Sequence, residues 1–371
     1  MSACDPCLRR GALLGALAPW IAYAKGSKRR LAEVLALPDA ELVKALCGDR
    51  RAEVGRRLAG FDPAAARARA TALGMEVVCR HAASYPSVLA QAADAPAALH
   101  LLGDAALLQR AAADGAVAVV GSRRASTYGL EMARALGRDL AACDVPVVSG
   151  MAYGVDSAAH EGALSAGGPT IAVMPGGGDV AYPAGKRPLY EQIKARGLAV
   201  AEMPPGMRPF RWSFPARNRI MAALARMTVV VEGTEGSGSL ITAAFAQDLG
   251  RDVGAVPGQV TSALAAGPNR LLSEGAAVVR SADDVLDAVY GPGHRRATQA
   301  PRSSAGAPHP ALAARLEPRL RRLLEAVESG VRTVEGLTEG ADVAEVLAGL
   351  SELELLGFVR RGPGGDYVRR L

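Results

Sequence analysis

The sequence predicts an α/β protein with a doubly wound, mainly parallel sheet at its centre. Two observations lead to this fold class: short apolar runs rich in β-branched residues recur along the chain, and amphipathic segments of helical period separate them. The six runs are Val117–Val120, Val145–Ser149, Thr170–Met174, Leu198–Glu202, Thr228–Glu232 and Asp252–Val256. Because strands that are apolar on both sides need helices on both faces, residues 111–290 are expected to form one Rossmann-like domain.

The composition supports a folded chain with more than one core. Of the 371 residues 50% are hydrophobic, which excludes a wholly disordered protein. Five cysteines are too few for a disulfide scaffold, and no apolar run reaches the length of a membrane span, so the chain is expected to be cytoplasmic. A net charge of +6 is too small for a histone-like binder, so a bound anion would be held by a few placed cations.

The front of the chain reads as short helices rich in Ala, Leu and Arg. Residues 1–75 are expected to form a small helical domain of the SAM or helix-hairpin-helix-like type, and residues 76–110 a connector. The domain carries a cluster of basic residues at Lys25, Lys28, Arg29 and Arg30. This cluster fits either a solvated helix end or a module that touches a nucleic-acid backbone.

Two features near the first residue could mislead. A pair of arginines before the apolar stretch Ala12–Ala24 imitates a short secretion signal, but we interpret the stretch as a first helix with Trp20 in a core. Cys4 and Cys7 form a C-x-x-C pair, but no second Cys or His pair follows at zinc spacing. The sequence therefore predicts neither a metal nor a cofactor.

The last part of the chain predicts a flexible linker and a winged-helix domain. Residues 291–311 are rich in Pro, Gly, Ser and positive charge, and residues 312–371 read as three helices followed by a hairpin. The third helix, Asp342–Leu356, contains acidic residues and no basic one, so it is a poor reader of duplex sequence. A protein-interaction role is favoured, with backbone contact through the hairpin as the alternative, using Arg360, Arg361, Arg369 and Arg370.

The ends of five predicted strands point to an anion site. In an open parallel sheet, ligands bind at the carboxyl ends of the strands, where glycines and helix N-termini present backbone N–H groups. The five loops at these ends are residues 121–124, 150–154, 175–179, 203–206 and 233–239, and each is Gly-rich or polar. Since they share one edge of the sheet, a phosphate-lined pocket is the leading hypothesis.

The kind of phosphate follows from what the loops contain. Neither a dinucleotide G-x-G-x-x-G nor a P-loop motif is present, and the cations are spread over several loops. Between Arg208 and Arg219, three aromatic residues, Phe210, Trp212 and Phe214, alternate with arginines. Basic groups interleaved with aromatic faces are typical of single-strand binding, although the aromatics also fit an ordinary core. With the loops, the segment favours single-stranded nucleic acid.

Candidate catalytic groups are sparse, so we expect no enzyme. His160 has no second histidine at helical spacing and is expected to be structural. No serine lies in a G-x-S-x-G elbow. Five carboxylates near strand ends, none marked as a nucleophile, are Asp156, Asp179, Glu202, Glu232 and Glu235. The alternative function is a nucleotide phosphoribohydrolase-like enzyme, because Pro175-Gly-Gly-Gly resembles a strand-end loop of that group.

The motifs together resemble one known family, the bacterial DNA-processing protein A (DprA or Smf) family. The resemblance covers about residues 85–290 and rests on Ala118-Val-Val-Gly-Ser-Arg123, Ser149-Gly-Met-Ala-Tyr-Gly-Val-Asp156, Ala159-His-Glu-Gly-Ala-Leu164, Phe214-Pro-Ala-Arg-Asn-Arg-Ile220, Ser237-Gly-Ser-Leu-Ile-Thr-Ala243 and Val256-Pro-Gly258. It implies a dimeric, non-enzymatic protein that binds single-stranded DNA, protects incoming strands in natural transformation and helps to load RecA recombinase.

The resemblance also implies which cations contact DNA. They are Arg123, Arg217 and Arg219, with Lys186 favoured over Arg187 as the cation after the third strand. The full set of expected strand- and phosphate-binding residues is Gly121, Ser122, Arg123, Ser149, Gly150, Gly176, Gly177, Lys186, Arg217, Asn218, Arg219, Ser237, Gly238 and Ser239.

Overall fold

The protein, described by a computed structural model, divides into two compact units, Met1–Thr298 and Gln299–Leu371. The structure describes residues 3–23, 28–48, 51–292, 316–329, 331, 333–338, 342–356, 358–361 and 367–369. Two groups named above lie outside this description, either entirely or in their side chains: the basic cluster Lys25, Lys28, Arg29 and Arg30, and the hairpin arginines Arg360, Arg361, Arg369 and Arg370. The expected linker lies outside it from residue 293 onward.

Five helices form the front of the first unit. They are α1 (Asp5–Tyr23), α2 (Lys28–Ala36), α3 (Asp39–Cys47), α4 (Arg51–Ala59) and α5 (Pro63–Ala72). The stretch that imitates a secretion signal lies largely in α1, where Leu13, Leu14 and Leu17 are buried. Trp20 is half-buried, packs at the edge of the same apolar cluster and lies beneath the Arg57 guanidinium. No helix among the residues described is both long and apolar enough to cross a membrane.

A nine-stranded sheet is the centre of the first unit. Its strands are β1 (Glu76–Cys79), β2 (Ala98–Gly103), β3 (Val117–Val120), β4 (Val147–Ser149), β5 (Thr170–Gly177), β6 (Leu198–Met203), β7 (Met227–Val230), β8 (Asp252–Ala255) and β9 (Ala277–Val278). Their order is β1-β2-β6-β5-β4-β3-β7-β8-β9, and every pair from β6 to β9 is parallel. The predicted fold class, a mainly parallel doubly wound sheet, is confirmed.

Helices cover both faces of this sheet. They are α6 (Ser87–Ala90), α7 (Ala106–Ala113), α8 (Thr127–Ala142), α9 (Val155–Ser165), α10 (Arg187–Arg196), α11 (Ser213–Leu224), α12 (Gly238–Asp248), α13 (Ala266–Ser273) and α14 (Ala282–Tyr290), with a 3-10 turn at Ala184–Lys186. Successive strand residues point to opposite faces, so Val117 and Val119 pack with α8, α9 and α14, whereas Ala118 and Val120 pack with α7, α11 and α12. The two cores explain why the strands are apolar throughout.

The segment expected to be a connector, residues 76–110, is part of the sheet instead. Its strands β1 and β2 pair antiparallel with each other, and β2 pairs antiparallel with β6. The expectation failed because β1 is only four residues long. A segment this short shows no alternation of apolar and polar residues that would separate a strand from a loop. The sheet therefore carries an antiparallel edge, as large α/β sheets often do.

The helical front is attached to the sheet by an aromatic anchor. Trp212 is buried against α1, and its indole Nε1–H donates a hydrogen bond to the carbonyl oxygen of Ala18 at 2.9 Å. Phe210 packs into the same cluster of apolar side chains. The core interpretation of the alternating aromatics is thus right for these two residues.

The second unit has its own small core. Three helices, α15 (Pro318–Glu328), α16 (Val334–Leu337) and α17 (Val343–Leu355), precede a hairpin of β10 (Val359–Arg361) and β11 (Tyr367–Arg369). The side chains of Leu320, Leu324, Leu350 and Phe358 are buried together. Asp342 caps α17 by accepting a hydrogen bond from the Ala344 N–H at 2.9 Å.

Candidate functional site

The strand order creates a crevice between β3 and β7. From β3 the chain winds outward to β6 on one side, and from β7 it winds outward to β9 on the other, so the loops after β3 and β7 diverge. A cavity of about 310 Å³ lies at this point. Its walls come from the loop after β3, the loop after β4, the first turns of α11 and the start of α12.

Hydrogen bonds fix the two walls that flank the crevice. The Glu232 carboxylate, just after β7, accepts hydrogen bonds from the Ser126 N–H at 2.8 Å and the Ser126 hydroxyl at 2.6 Å. Gly129 lies so close to Glu232 that a Cβ there would collide with the carboxylate. On the first wall, the Ser122 hydroxyl accepts a hydrogen bond from the Arg124 N–H at 3.1 Å. Glu232 is thus held in a structural role, and the loop after β3 is held in place.

The N-terminus of α12 faces the cavity. Ser237 caps this helix by accepting a hydrogen bond from the Ser239 N–H, and the two hydroxyl groups lie 2.8 Å apart. Asn218 of α11 donates a hydrogen bond from its amide to the Gly238 carbonyl oxygen at 3.2 Å, which fixes α11 against α12. Free N–H groups and hydroxyls at a helix N-terminus favour an anion in the cavity.

Arg123 lies at the mouth of the cavity. It is exposed, and its guanidinium carbon lies 4.9 Å from the centre of the Phe214 ring, within the range of a cation–π contact. The ring of Tyr182 meets Phe214 edge to face, with the centroids 5.3 Å apart. Among the described residues no carboxylate forms an ion pair with Arg123, so this cation is available to a ligand.

Arg217 lies at the back of the cavity and is nearly fully buried. Its Nη1 donates hydrogen bonds to the carbonyl oxygens of Gly150 and, at 2.8 Å, Val173. Its Nη2 lies 3.8 Å from the Asp156 carboxylate. Burial lowers the pKa of Arg217 to about 10 and raises that of Asp156. The attraction between the two opposite charges offsets part of each shift. The Arg217 Nε has no hydrogen-bond partner among the described residues.

Gly150 is required by this arrangement. A Cβ there would lie 2.5 Å from the Arg217 guanidinium carbon and 2.8 Å from the Asp156 carboxylate. We expect Gly150→Ala to lower the free energy of unfolding by about 1–3 kcal/mol through overpacking, measured by thermal denaturation. Gly236→Ala is the matched control, because a Cβ at Gly236 meets no atom of the described residues within 4 Å. Equal melting temperatures for the two variants would contradict the prediction.

The cavity brings together one part of the predicted residue set. The residues that line it are Gly121, Ser122, Arg123, Arg217, Asn218, Ser237, Gly238 and Ser239. Two more lie just behind it: Gly150 accepts a hydrogen bond from Arg217, and the buried Ser149 donates one to the Val119 carbonyl oxygen at 2.7 Å. Phe214 and Asp156 also line the cavity, whereas Tyr182, which the sequence analysis missed, touches Phe214. The only signal for Tyr182 in the sequence was its position, as an aromatic residue within a polar loop that follows a strand.

The loops after β5 and β6 do not join the cavity. Gly177 donates its N–H to the Met207 carbonyl oxygen at 2.8 Å, and a Cβ on Gly176 would lie 2.6 Å from the same oxygen. The Met207 side chain in turn lies against Gly15 of α1. Gly176 and Gly177, the last residues of β5, therefore allow the end of this strand to pack closely against the loop after β6, beneath the helical front. Of the five expected loops, only those after β3, β4 and β7 line the cavity.

Two predicted cations are engaged elsewhere. Arg219 is buried on the opposite side of α11 from Arg217 and forms ion pairs with Glu202 at 2.8 Å and Asp94 at 2.9 Å. Lys186 forms an ion pair with Glu161 at 3.0 Å and lines a separate cavity of about 630 Å³. The placement of Arg219 in the site is corrected: its guanidinium neutralises two buried carboxylates, and it does not line the cavity.

Two buried histidines make stability depend on pH. His160 Nδ1 lies 2.7 Å from the Thr170 hydroxyl, and burial together with Arg217 lowers the pKa of His160 to about 3. Burial lowers the pKa of His100 to about 4. Both titrate near 6.5 in the unfolded chain, which therefore takes up protons first as the pH falls. The contribution of these two histidines to the free energy of unfolding is therefore fully present above about pH 6.5. Below that pH it falls by about 1.4 kcal/mol per histidine and pH unit.

Urea unfolding at pH 7.5, 6 and 5 measures this loss. His160→Gln removes one of the two groups, so its stability should depend less steeply on pH than that of the unchanged protein. Identical slopes for the two proteins would show that His160 is not held neutral in the folded state.

Comparison with known proteins identifies the family. The family model described as DNA recombination-mediator protein A matches residues 76–290, more than half of the chain. The chain belongs to the DprA family. The DprA winged helix domain matches residues 307–365, which confirms the predicted C-terminal domain. The resemblance inferred from the motifs is thereby confirmed.

Individual members of the DprA family align over most of the chain. The DNA processing protein DprA of Mycobacterium tuberculosis is 42% identical over 280 residues, which are 74% of this chain and 69% of the relative. Protein Smf of Synechocystis is 34% identical over 310 residues, 77% of this chain and 78% of the relative.

Two solved structures of family members are similar in fold. DNA processing protein A from Streptococcus pneumoniae is 31% identical with a TM-score of 0.60, and the match covers 77% of this chain and 98% of that one. DNA processing protein A from Helicobacter pylori, described for its single-stranded DNA binding mode, is 28% identical with a TM-score of 0.51, over 58% of this chain and 94% of that one.

Proposed function

We propose that this protein binds single-stranded DNA at the crevice between β3 and β7, with a phosphate in the cavity and bases against the aromatic residues at its mouth. One observation carries the proposal: Arg123, an exposed arginine that forms no ion pair with any described residue, stacks on Phe214 at the entrance of a cavity that a helix N-terminus faces. The single-stranded DNA binding described for the Helicobacter pylori relative supports the same ligand.

The shape of the site favours a single strand over a duplex. A volume of about 310 Å³ admits little more than one nucleotide unit and cannot take a helix of paired bases. Arg123 already lies over the Phe214 ring, so the half-buried Tyr182 ring beside it is the surface proposed for a base, and stacking there needs a base that is free on at least one side. Lys186 follows Tyr182 by four residues, but it is paired with Glu161 and lines a separate cavity, so it does not support this proposal.

We extend the proposal to the role that the family resemblance implies. The protein would coat incoming strands, act as a dimer and hand the DNA to RecA recombinase. The buried ion pair between Arg217 and Asp156 supports a binding role rather than an enzymatic one, because Asp156 is the only carboxylate among the described residues lining the cavity and it faces a cation.

A salt titration tests the DNA-binding proposal. A fluorescent, unstructured oligonucleotide should bind with an affinity that falls steeply with salt, as counterion release requires. Matched duplex and free nucleoside monophosphates should compete poorly. Strong competition by mononucleotides, or no strand binding at low salt, would overturn the proposal and favour a small-ligand enzyme, for which release of free base is the decisive assay.

RecA handover has its own assay. Strands already coated with a single-strand binding protein should be taken up by RecA faster when this protein is present, measured by RecA ATPase activity. An unchanged uptake rate, with strand binding intact, would remove RecA loading from the proposal while leaving DNA binding in place.

A further inference from the structure

Four potential metal ligands meet where the helical front joins the sheet. Cys4 precedes α1, Cys7 lies in its first turn, Cys79 ends β1 and His81 follows two residues later. One ligand atom from each of the four residues lies within 4.8 Å of all the others. The second pair has the form Cys-x-His, and the sequence analysis, which found no second pair at zinc spacing, overlooked it because it lies 72 residues after Cys7.

The distances between the ligand atoms fit a tetrahedral zinc site. Zn–S bonds of about 2.3 Å and a Zn–N bond of about 2.0 Å at tetrahedral angles place two sulfurs about 3.8 Å apart, and a sulfur and a nitrogen about 3.5 Å apart. The sulfurs of Cys4 and Cys79 are 3.8 Å apart. His81 Nδ1 lies 3.3 Å from the Cys4 sulfur and 3.4 Å from the Cys7 sulfur.

The surroundings of the cluster also fit a bound metal. Cys7 and Cys79 are each 2% exposed and pack with Ala3, Leu8 and Ala98 in a small apolar cluster. The Cys4 N–H points at the Cys79 sulfur at 3.5 Å, an arrangement that stabilises a thiolate. A disulfide is not formed here, because all five cysteines are free and the Cys4–Cys79 separation is well above a bond length.

We propose that Cys4, Cys7, Cys79 and His81 bind a structural zinc ion. Three thiolates and one imidazole supply all four positions of a tetrahedral site, so none is open for a substrate. The ion would fasten the start of α1 to the end of β1, two segments far apart in sequence. It would thereby hold the helical front against the sheet, because metal-binding energy becomes folding energy when ligands come from separate segments.

Metal analysis of the full-length protein tests the proposal. After expression with zinc and exhaustive dialysis, about one zinc ion per chain is expected by inductively coupled plasma mass spectrometry. Cys7→Ser and Cys79→Ser should each lower the retained zinc by more than about tenfold. Cys143→Ser is the matched control, since Cys143 is a buried cysteine outside the cluster, and it should retain the zinc.

A second measurement begins with the wild-type protein, so its first result does not depend on whether a ligand variant folds. Cobalt added to the metal-free wild-type protein should produce the visible bands of a tetrahedral ion and thiolate-to-cobalt charge transfer. His81→Cys should keep the metal and raise the charge-transfer intensity by about one third, because the thiolates increase from three to four.

Either of two results would overturn the proposal. One is a folded wild-type protein that holds no zinc and gives no tetrahedral cobalt spectrum. The other is a disulfide between Cys4 and Cys79 in peptides mapped without reduction. Neither result would bear on the proposed DNA site, since the zinc cluster and the cavity share no residue.

Discussion

Arg219→Ala is expected to lower the free energy of unfolding by about 3–5 kcal/mol. The substitution would leave the Glu202 and Asp94 carboxylates buried without their cation, and such a charge is costly in a medium of low polarity. Burial disfavours the Arg219 charge, but the two carboxylates outweigh this and raise its pKa. Urea unfolding at pH 7.5 measures the loss.

Two further variants isolate the cause. Adding Glu202→Gln to Arg219→Ala should recover part of the stability, because it removes one of the unpaired charges. Arg280→Ala, which breaks the exposed pair with Asp284, should leave the unfolding midpoint unchanged. A stable Arg219→Ala protein would show that the buried pairs contribute little.

The Arg219→Ala variant also tests whether Arg219 contacts DNA, as the family resemblance implies, or is purely structural, as its placement indicates. The family resemblance assigns Arg219 a DNA contact, whereas the structure turns it away from the cavity. At a temperature at which Arg219→Ala is still folded, its affinity for single-stranded DNA should equal that of the unchanged protein. A weaker affinity in the folded variant would restore Arg219 to the binding site.

Arg123→Ala is expected to weaken single-stranded DNA binding by about tenfold and to lower the slope of log affinity against log salt by about one. The substitution removes an exposed cation and its contact with Phe214 without touching the core. Fluorescence anisotropy with several unrelated oligonucleotides should show the same loss for each, since a phosphate contact carries no sequence information.

Arg124 provides a matched control for this prediction. It is the next residue, is also exposed and carries the same charge, but it does not line the cavity. Arg124→Ala should therefore change affinity much less than Arg123→Ala. Equal losses would mean that the local positive field, and not the cavity mouth, holds the DNA.

Much of the fold could be predicted from the sequence. The apolar runs gave the parallel strands to within a few residues: the run Thr170–Met174 corresponds to β5, which continues to Gly177. They succeeded because strands buried on both faces must be apolar throughout. The antiparallel edge could not be predicted in this way, since β1 is exposed at its first residue and half-buried at its second.

For the candidate site, the sequence predicted which loops are involved but not which of their residues line the cavity. Glycines and arginines at strand ends marked the edge of the sheet at which the cavity lies, but the sequence did not show that α1 and the Met207 loop cover the far end of this edge. Nor did it show which arginine faces the cavity. Arg217 and Arg219 are two positions apart, about 200° around a helix, so only one of them can face inward once the segment is helical.

The two arginines of α11 also have a mechanical consequence. On one face of the helix, Arg217 donates hydrogen bonds to the carbonyl oxygens of Gly150 and Val173 behind the cavity. On the opposite face, Arg219 is hydrogen-bonded to the carboxylate of Glu202 on β6. Tension on a strand seated against α11 would pass through the helix into the sheet rather than into a surface loop. The protein could then resist a pull on its DNA with the stiffness of its core.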